Sequence, residues 1–105
     1  MKARTKYISD LIKQNIGFVD SKAEIILYGS RARGDERDDS DWDILVLTDY
    51  PVNLSQERVF RDKLYDLELE TGEPFSIFVY SKNDWTSKQK ATSFFYNVTQ
   101  DGIRI

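Results

Sequence analysis

Two aspartates separated by one residue, Asp41 and Asp43, stand just before the apolar run Ile44-Leu45-Val46-Leu47. If that run is a strand, its period of two turns both carboxylates to one face and Trp42 to the other. Two carboxylates so close repel, and a charge placed against an apolar run is costly to bury without a partner. A divalent cation would relieve both costs. Magnesium in particular prefers one or two protein carboxylates together with substrate phosphates, and manganese accepts the same oxygen ligands. Taken alone, the pair describes a solvated strand end equally well, with Asp41 as a turn residue after Ser40.

Upstream, Gly29-Ser30 follows the apolar, β-branched segment Ala23-Glu24-Ile25-Ile26-Leu27-Tyr28. A glycine there lets the backbone approach a ligand closely, and the amides of a helix opened by Arg31-Ala32-Arg33 could join the Ser30 hydroxyl in holding phosphate oxygens. A Gly-Ser pair by itself is more often a plain turn. Arg31 and Arg33 lie close enough to that turn to meet a triphosphate with a guanidinium. Arg37 and the acids Asp35, Glu36, Asp38 and Asp39 read instead as a solvent-exposed loop of self-compensating charge.

The elements that must position these groups follow from periodicity. Tyr7, Ile8, Leu11, Ile12 and Ile16 recur at helical spacing over residues 3–16, with Gly17 placed to stop that helix. Residues 23–28 and 42–47 read as buried strands on either side of the polar stretch Ser30 to Ser40. After the turn at Tyr50-Pro51-Val52-Asn53, a helix carrying Val59, Phe60, Lys63, Leu64 and Leu67 runs to Thr71-Gly72. Phe75 to Tyr80 is a third strand, and Trp85 with Ser93 to Val98 suggests one final helix closing at Gly102. The alternation predicts an α/β or α+β fold: a small mixed sheet of three to four strands flanked by helices, mainly on one face. The site is expected at the open end, where the first two strands meet the Gly-Ser turn. Trp42 is expected in the core and Trp85 is given no site role. Three adjacent aromatics, Phe94-Phe95-Tyr96, cannot share one helical face, so one of them is expected to be an exposed contact.

The sequence of 105 residues is the size of one domain, and residues 1–105 are read as such. It contains neither cysteine nor histidine, which excludes disulfides, thiolate nucleophiles and histidine bases. Chemistry must therefore run on carboxylates, hydroxyls, Lys and Arg. A net charge of −3 with mixed signs argues against unspecific binding to a nucleic-acid backbone, so nucleic acid is expected only as an acceptor. The start, MKARTKYISD, has no apolar leader, and no apolar run reaches membrane-spanning length. A cytoplasmic location without membrane contact is expected. Lys82, Lys88 and Lys90 are read as surface charge.

The pattern Gly29-Ser30, ten intervening residues, Asp41, any residue and Asp43 resembles the signature of the minimal nucleotidyltransferases of the DNA polymerase beta superfamily. Gly29-Ser30-Arg31-Ala32-Arg33-Gly34 matches that family's usual wording, and the element order is similar over nearly the whole chain. The resemblance implies a nucleotidyltransferase fold. It also implies that Gly29 and Ser30 bind the triphosphate, that Asp41 and Asp43 bind magnesium, and that a nucleoside monophosphate moves onto an acceptor hydroxyl. ATP is the expected nucleotide. Proteins of this kind are often paired with a HEPN-type ribonuclease in toxin–antitoxin pairs, which makes such a protein an expected partner.

One departure divides the expectations. The family's third carboxylate lies in the third strand, and Ser76 occupies the position that aligns with it. Glu73 and Glu70 do not fit the spacing and read as exposed charges. The chain is therefore either an active transferase whose second metal is held loosely or by a nearby acid, or a nucleotide-binding, antitoxin-like relative with weakened catalysis.

Overall fold

The computed structural model describes residues 1–105. Helix α1 (Ala3–Val19) leads to strand β1 (Glu24–Tyr28), the one-turn helix α2 (Ser30–Arg33), and strand β2 (Trp42–Thr48). Helix α3 (Leu54–Thr71), strand β3 (Phe75–Ser81), helices α4 (Lys82–Ser87) and α5 (Ser93–Asp101), and the short strand β4 (Ile103–Arg104) complete the chain. The sheet order is β3-β2-β1-β4. β1 is antiparallel to both neighbours, whereas β2 and β3 are parallel and joined through α3. The result is the expected mixed sheet flanked by helices. No helix is long and apolar enough to cross a membrane.

Strand alternation divides the core in two. On one face Ile25, Leu27, Trp42, Ile44, Val46, Ile77 and Val79 pack under Ile8, Ile12 and Ile16 of α1 and Phe60, Leu64 and Leu67 of α3. On the other face Leu45 and Leu47 meet Trp85 of α4 and Val98 of α5, with Tyr28, Tyr80, Phe94 and Phe95 around them. The expectation of helices mainly on one face holds for the two long helices only, because α4 and α5 cover part of the second face. Trp85 is the anchor of that smaller core at 6% exposure, with Phe94 edge-on to it at 5.4 Å and Phe95 tilted against it at 5.0 Å. Tyr96, the third of the adjacent aromatics, is the exposed one at 62%.

Three boundaries differ from periodicity alone. Gly17 does not end α1, which continues to Val19 and stops where Asp20 turns extended and its side chain accepts the Lys22 amide at 2.9 Å. A helix with several apolar residues already buried tolerates an interior glycine at a cost of about 1 kcal/mol. Gly72 does end α3, at φ 74°, while Asn53 and Gln56 close a capping box at its start. The single final helix is two, because side-chain caps start each one: Ser81 accepts the Asp84 amide and Thr92 accepts the Phe95 amide. The fourth strand, at Ile103–Arg104, pairs with β1 immediately after Gly102.

Candidate active site

β1 delivers the chain to Gly29, which sits at φ 77°, ψ −160°, a region that side chains rarely enter. α2 then turns at once, with the Ala32 and Arg33 amides each donating to the Gly29 carbonyl at 3.0 Å. Gly34 at φ 85° ends it, and the chain returns to β2 through residues 35–41. Sheet register sets the site across three strands: Tyr28 is opposite Asp43, and Asp43 is opposite Ser76. All three lie on the face away from α1 and α3.

Gly29 is packed directly against Asp43. A Cβ on Gly29 would fall 2.3 Å from Asp43 Oδ2. The Gly-Ser turn and the second aspartate, separated by more than ten residues in sequence, are thus in van der Waals contact. Burial first, and then the charge of Asp41, push the Asp43 carboxyl above the usual carboxylate range, with Arg33 pulling the other way. Tyr28 beside it is pushed up strongly, by burial and then by Asp43 and Tyr80. The two aspartates therefore form a repelling pair held by the fold. Oxygen ligands that repel one another at the mouth of a sheet fit a hard divalent cation. No group of three or more His, Cys, Asp or Glu side chains is arranged to hold a metal, so Asp41 and Asp43 stand as a pair.

Arg33 is half-exposed and donates to Asp35 at 3.3 Å and to Asp101 of α5 at 2.8 Å. Arg31 is placed differently from what its spacing suggested. It is 8% exposed, its guanidinium lies 4.4 Å from the Trp42 ring centre, and it donates to the carbonyls of Ser40 and Asp38. On a helix of 3.6 residues per turn, Arg31 and Arg33 point about 200° apart. Of the two, only the charge of Arg33 acts on Asp43. The largest cavity, about 460 Å³, lies on the α1 side of α2 between Lys2, Thr5, Ala32 and Arg31, and it contains neither aspartate.

Glu73 corrects the expectation of an exposed charge. Its side chain is 15% exposed and it accepts from Trp42 Nε1 at 2.9 Å and Arg4 Nη2 at 2.6 Å, with Arg31 Nη2 at 3.7 Å. It sits on the opposite face from Asp43 and cannot serve as the third acid. Glu70, by contrast, is exposed as expected. The clue that sequence reading passed over was Trp42 itself: a fully buried indole N–H needs an acceptor, and Glu73 precedes the neighbouring strand. Burial opposes the charged form of Glu73, but hydrogen bonds from Trp42 and Arg4 and the charges of Arg4 and Arg31 outweigh it, leaving its carboxyl below the usual range. Glu73→Ala is therefore expected to destabilise the fold by about 2 kcal/mol, since it orphans a buried indole and a guanidinium. A depressed carboxyl stabilises above its unfolded-state titration and loses that contribution as pH falls through the folded value. Urea unfolding at neutral pH and in acid should show the penalty shrinking with acidity.

Comparison with protein-family models matches residues 7–105 to the polymerase beta nucleotidyltransferase domain. The chain belongs to this family. Comparison with the curated proteins gives no match. Among solved structures, a toxin–antitoxin complex with AMP-PNP is similar at a TM-score of 0.59 and 19% identity, over 95% of this chain and 70% of that one. A mutant of the toxin–antitoxin MntA-HpeT gives 0.58 at 17% identity, with the same 95% and 70% coverage. A candidate nucleotidyltransferase from Sulfolobus solfataricus gives 0.53 at 22% identity, over 95% and 80%. At these identities the likeness is one of fold, and it covers nearly every element of this nucleotidyltransferase chain.

Proposed function

We propose that this family member transfers a nucleoside monophosphate from a magnesium-bound nucleoside triphosphate, with ATP as the expected donor, to an acceptor hydroxyl. The observation that supports this reading is the contact of Gly29 with Asp43, which sets the Gly-Ser turn against the second aspartate. Asp41 and Asp43 would hold the magnesium or manganese ion. Such an ion, when bound, neutralises phosphate charge and lowers the barrier to attack at phosphorus. The bare Gly29 lets the Asp43 carboxylate lie against the turn, the Ser30 hydroxyl donates to a phosphate oxygen, and Arg33 exchanges Asp35 for the triphosphate. In the reaction the acceptor oxygen bonds to the α-phosphorus, the bond to the bridging oxygen breaks, pyrophosphate leaves, and the hydroxyl proton passes to solvent or a nearby base. A cytoplasmic setting is part of this reading.

Incubation with magnesium and α-labelled ATP, alone and with candidate acceptor proteins or RNA, should give transfer of label that disappears in Asp41→Ala. Inactivity of the parent across these acceptors would overturn the reading.

A second reading rests on Ser76, which stands directly opposite Asp43 where a third carboxylate would complete a two-metal site. In it the protein binds nucleotide and acts as an antitoxin-like partner, for example of a HEPN-type protein, with little transfer. Its support is the missing acid together with the similarity in fold to toxin–antitoxin structures. Calorimetry separates it from the first: magnesium-dependent ATP affinity without label transfer favours binding alone. Ser76→Asp adds a carboxylate on the neighbouring strand, whose backbone runs about 5 Å from that of Asp43. It is expected to raise transfer by about tenfold or more if a second metal is the limiting feature. An unchanged rate would mean that another group fills the role.

A further inference from the structure

We propose that Arg31 is a positioning residue for Asp41, holding the chain on both sides of that aspartate from beneath the site; this rests on Asp41 being a metal ligand. The residue before Asp41 is Ser40, whose carbonyl receives Arg31 Nη2 at 3.0 Å and Nε at 3.3 Å. The residue after it is Trp42, whose ring carries the same guanidinium at 4.4 Å. A third contact, from Nη2 to the Asp38 carbonyl at 3.3 Å, ties down the preceding turn of the loop.

Asp41 needs such help because it precedes β2 and is exposed. Asp43 is fixed by ladder pairing on both sides. Asp41 has no ladder partner, and the loop before it is rich in charge and poor in apolar anchors. Without a tether, an exposed side chain at the end of such a loop is free to swing into solvent. The guanidinium is suited to prevent this: it is planar enough to lie on the indole and forked enough to hold two carbonyls at once. It is itself held by the ion pair to Glu73 at 3.7 Å, and Glu73 also receives the Trp42 indole. Arg31 directly follows Ser30, so one buried side chain couples the phosphate turn to the metal carboxylate. That coupling preorganises ligands that would otherwise have to be ordered at the moment of binding.

The test is the affinity of the intact chain for Mn²⁺, read by electron paramagnetic resonance without nucleotide, in the parent, Asp41→Ala, Arg31→Met and Arg31→Lys. Asp41→Ala and Arg31→Met are each expected to weaken Mn²⁺ binding about tenfold or more, and Arg31→Lys, which keeps the charge but loses the fork, about threefold. Hydrogen exchange should show amides of residues 37–41 losing protection in both Arg31 variants while Ile44 to Leu47 keep theirs. A purely structural role would lower the folded fraction and leave the affinity of folded molecules unmoved. If Arg31→Met fails to fold, Arg31→Lys carries both measurements. Parental affinity in the Arg31 variants alongside weakened binding in Asp41→Ala overturns the positioning role and leaves the metal reading standing. Parental affinity in Asp41→Ala overturns both.

Discussion

Asp43→Asn is expected to reduce magnesium-dependent nucleotidyl transfer by about a thousandfold while making the folded chain more stable at neutral pH. The two effects have one cause. Burial and the charge of Asp41 disfavour the Asp43 carboxylate in the fold, so the ionised group is a net destabilising presence until a cation compensates it. A neutral amide of nearly the same shape removes that penalty and the metal ligand together. The sign follows from linkage: a carboxyl whose folded titration is raised destabilises the fold above that value and ceases to do so below its unfolded value. The stability gain in Asp43→Asn should therefore be full at neutral pH and vanish in acid. Thermal melts of the parent and variant across pH, without metal, read this directly. A variant less stable than the parent at neutral pH would contradict the strained-pair account, whatever its activity.

The second large effect is at Gly29. In Gly29→Ala the new methyl meets Asp43 Oδ2 at 2.3 Å, and the backbone must hold φ 77° with a side chain attached. The conformational term is worth about 1–3 kcal/mol. The steric term is of a different kind, because the atom in the way is the tip of a side chain that can rotate aside. Stability should thus fall only by the backbone cost, but the carboxylate displaced is the one proposed to hold the metal. Transfer is expected to fall about a hundredfold, far more than a loss of that size in stability would produce in a chain that remains folded. Urea titration beside a transfer assay distinguishes the two costs. Equal loss of both would mean that the turn is needed for folding alone. Gly17→Ala, by comparison, meets nothing within 4 Å and should be harmless to function.

Much of this was legible before any coordinates. The strand on either side of the Gly-Ser turn, the helix from about Ser55 to Gly72 and the burial of Trp42 each follow from a local rule: alternation, a glycine stop or period. The face that Asp43 takes needed only the strand period, whereas Asp41 lies one residue before the strand begins. What local rules missed had partners distant in sequence. Glu73 looked like a surface charge because Arg4 is 69 residues away and Trp42 is 31 residues away. Arg33 was read only against the Gly-Ser turn because its partner Asp101 lies 68 residues further on. The division of the last helix into two passed unnoticed because Ser81 and Thr92 act as caps only once the chain turns there.

Arg31 shows where the boundary between the two kinds of knowledge lies. By itself the sequence determined that a guanidinium stands next to a Gly-Ser turn and that two aspartates follow at strand spacing, because residue type and local period need no partner. It could not determine which way that guanidinium points. The tertiary structure decided this, since a buried cation goes where ring, carbonyl and carboxylate converge, and Trp42, Ser40 and Glu73 converge only when β2 and β3 lie side by side.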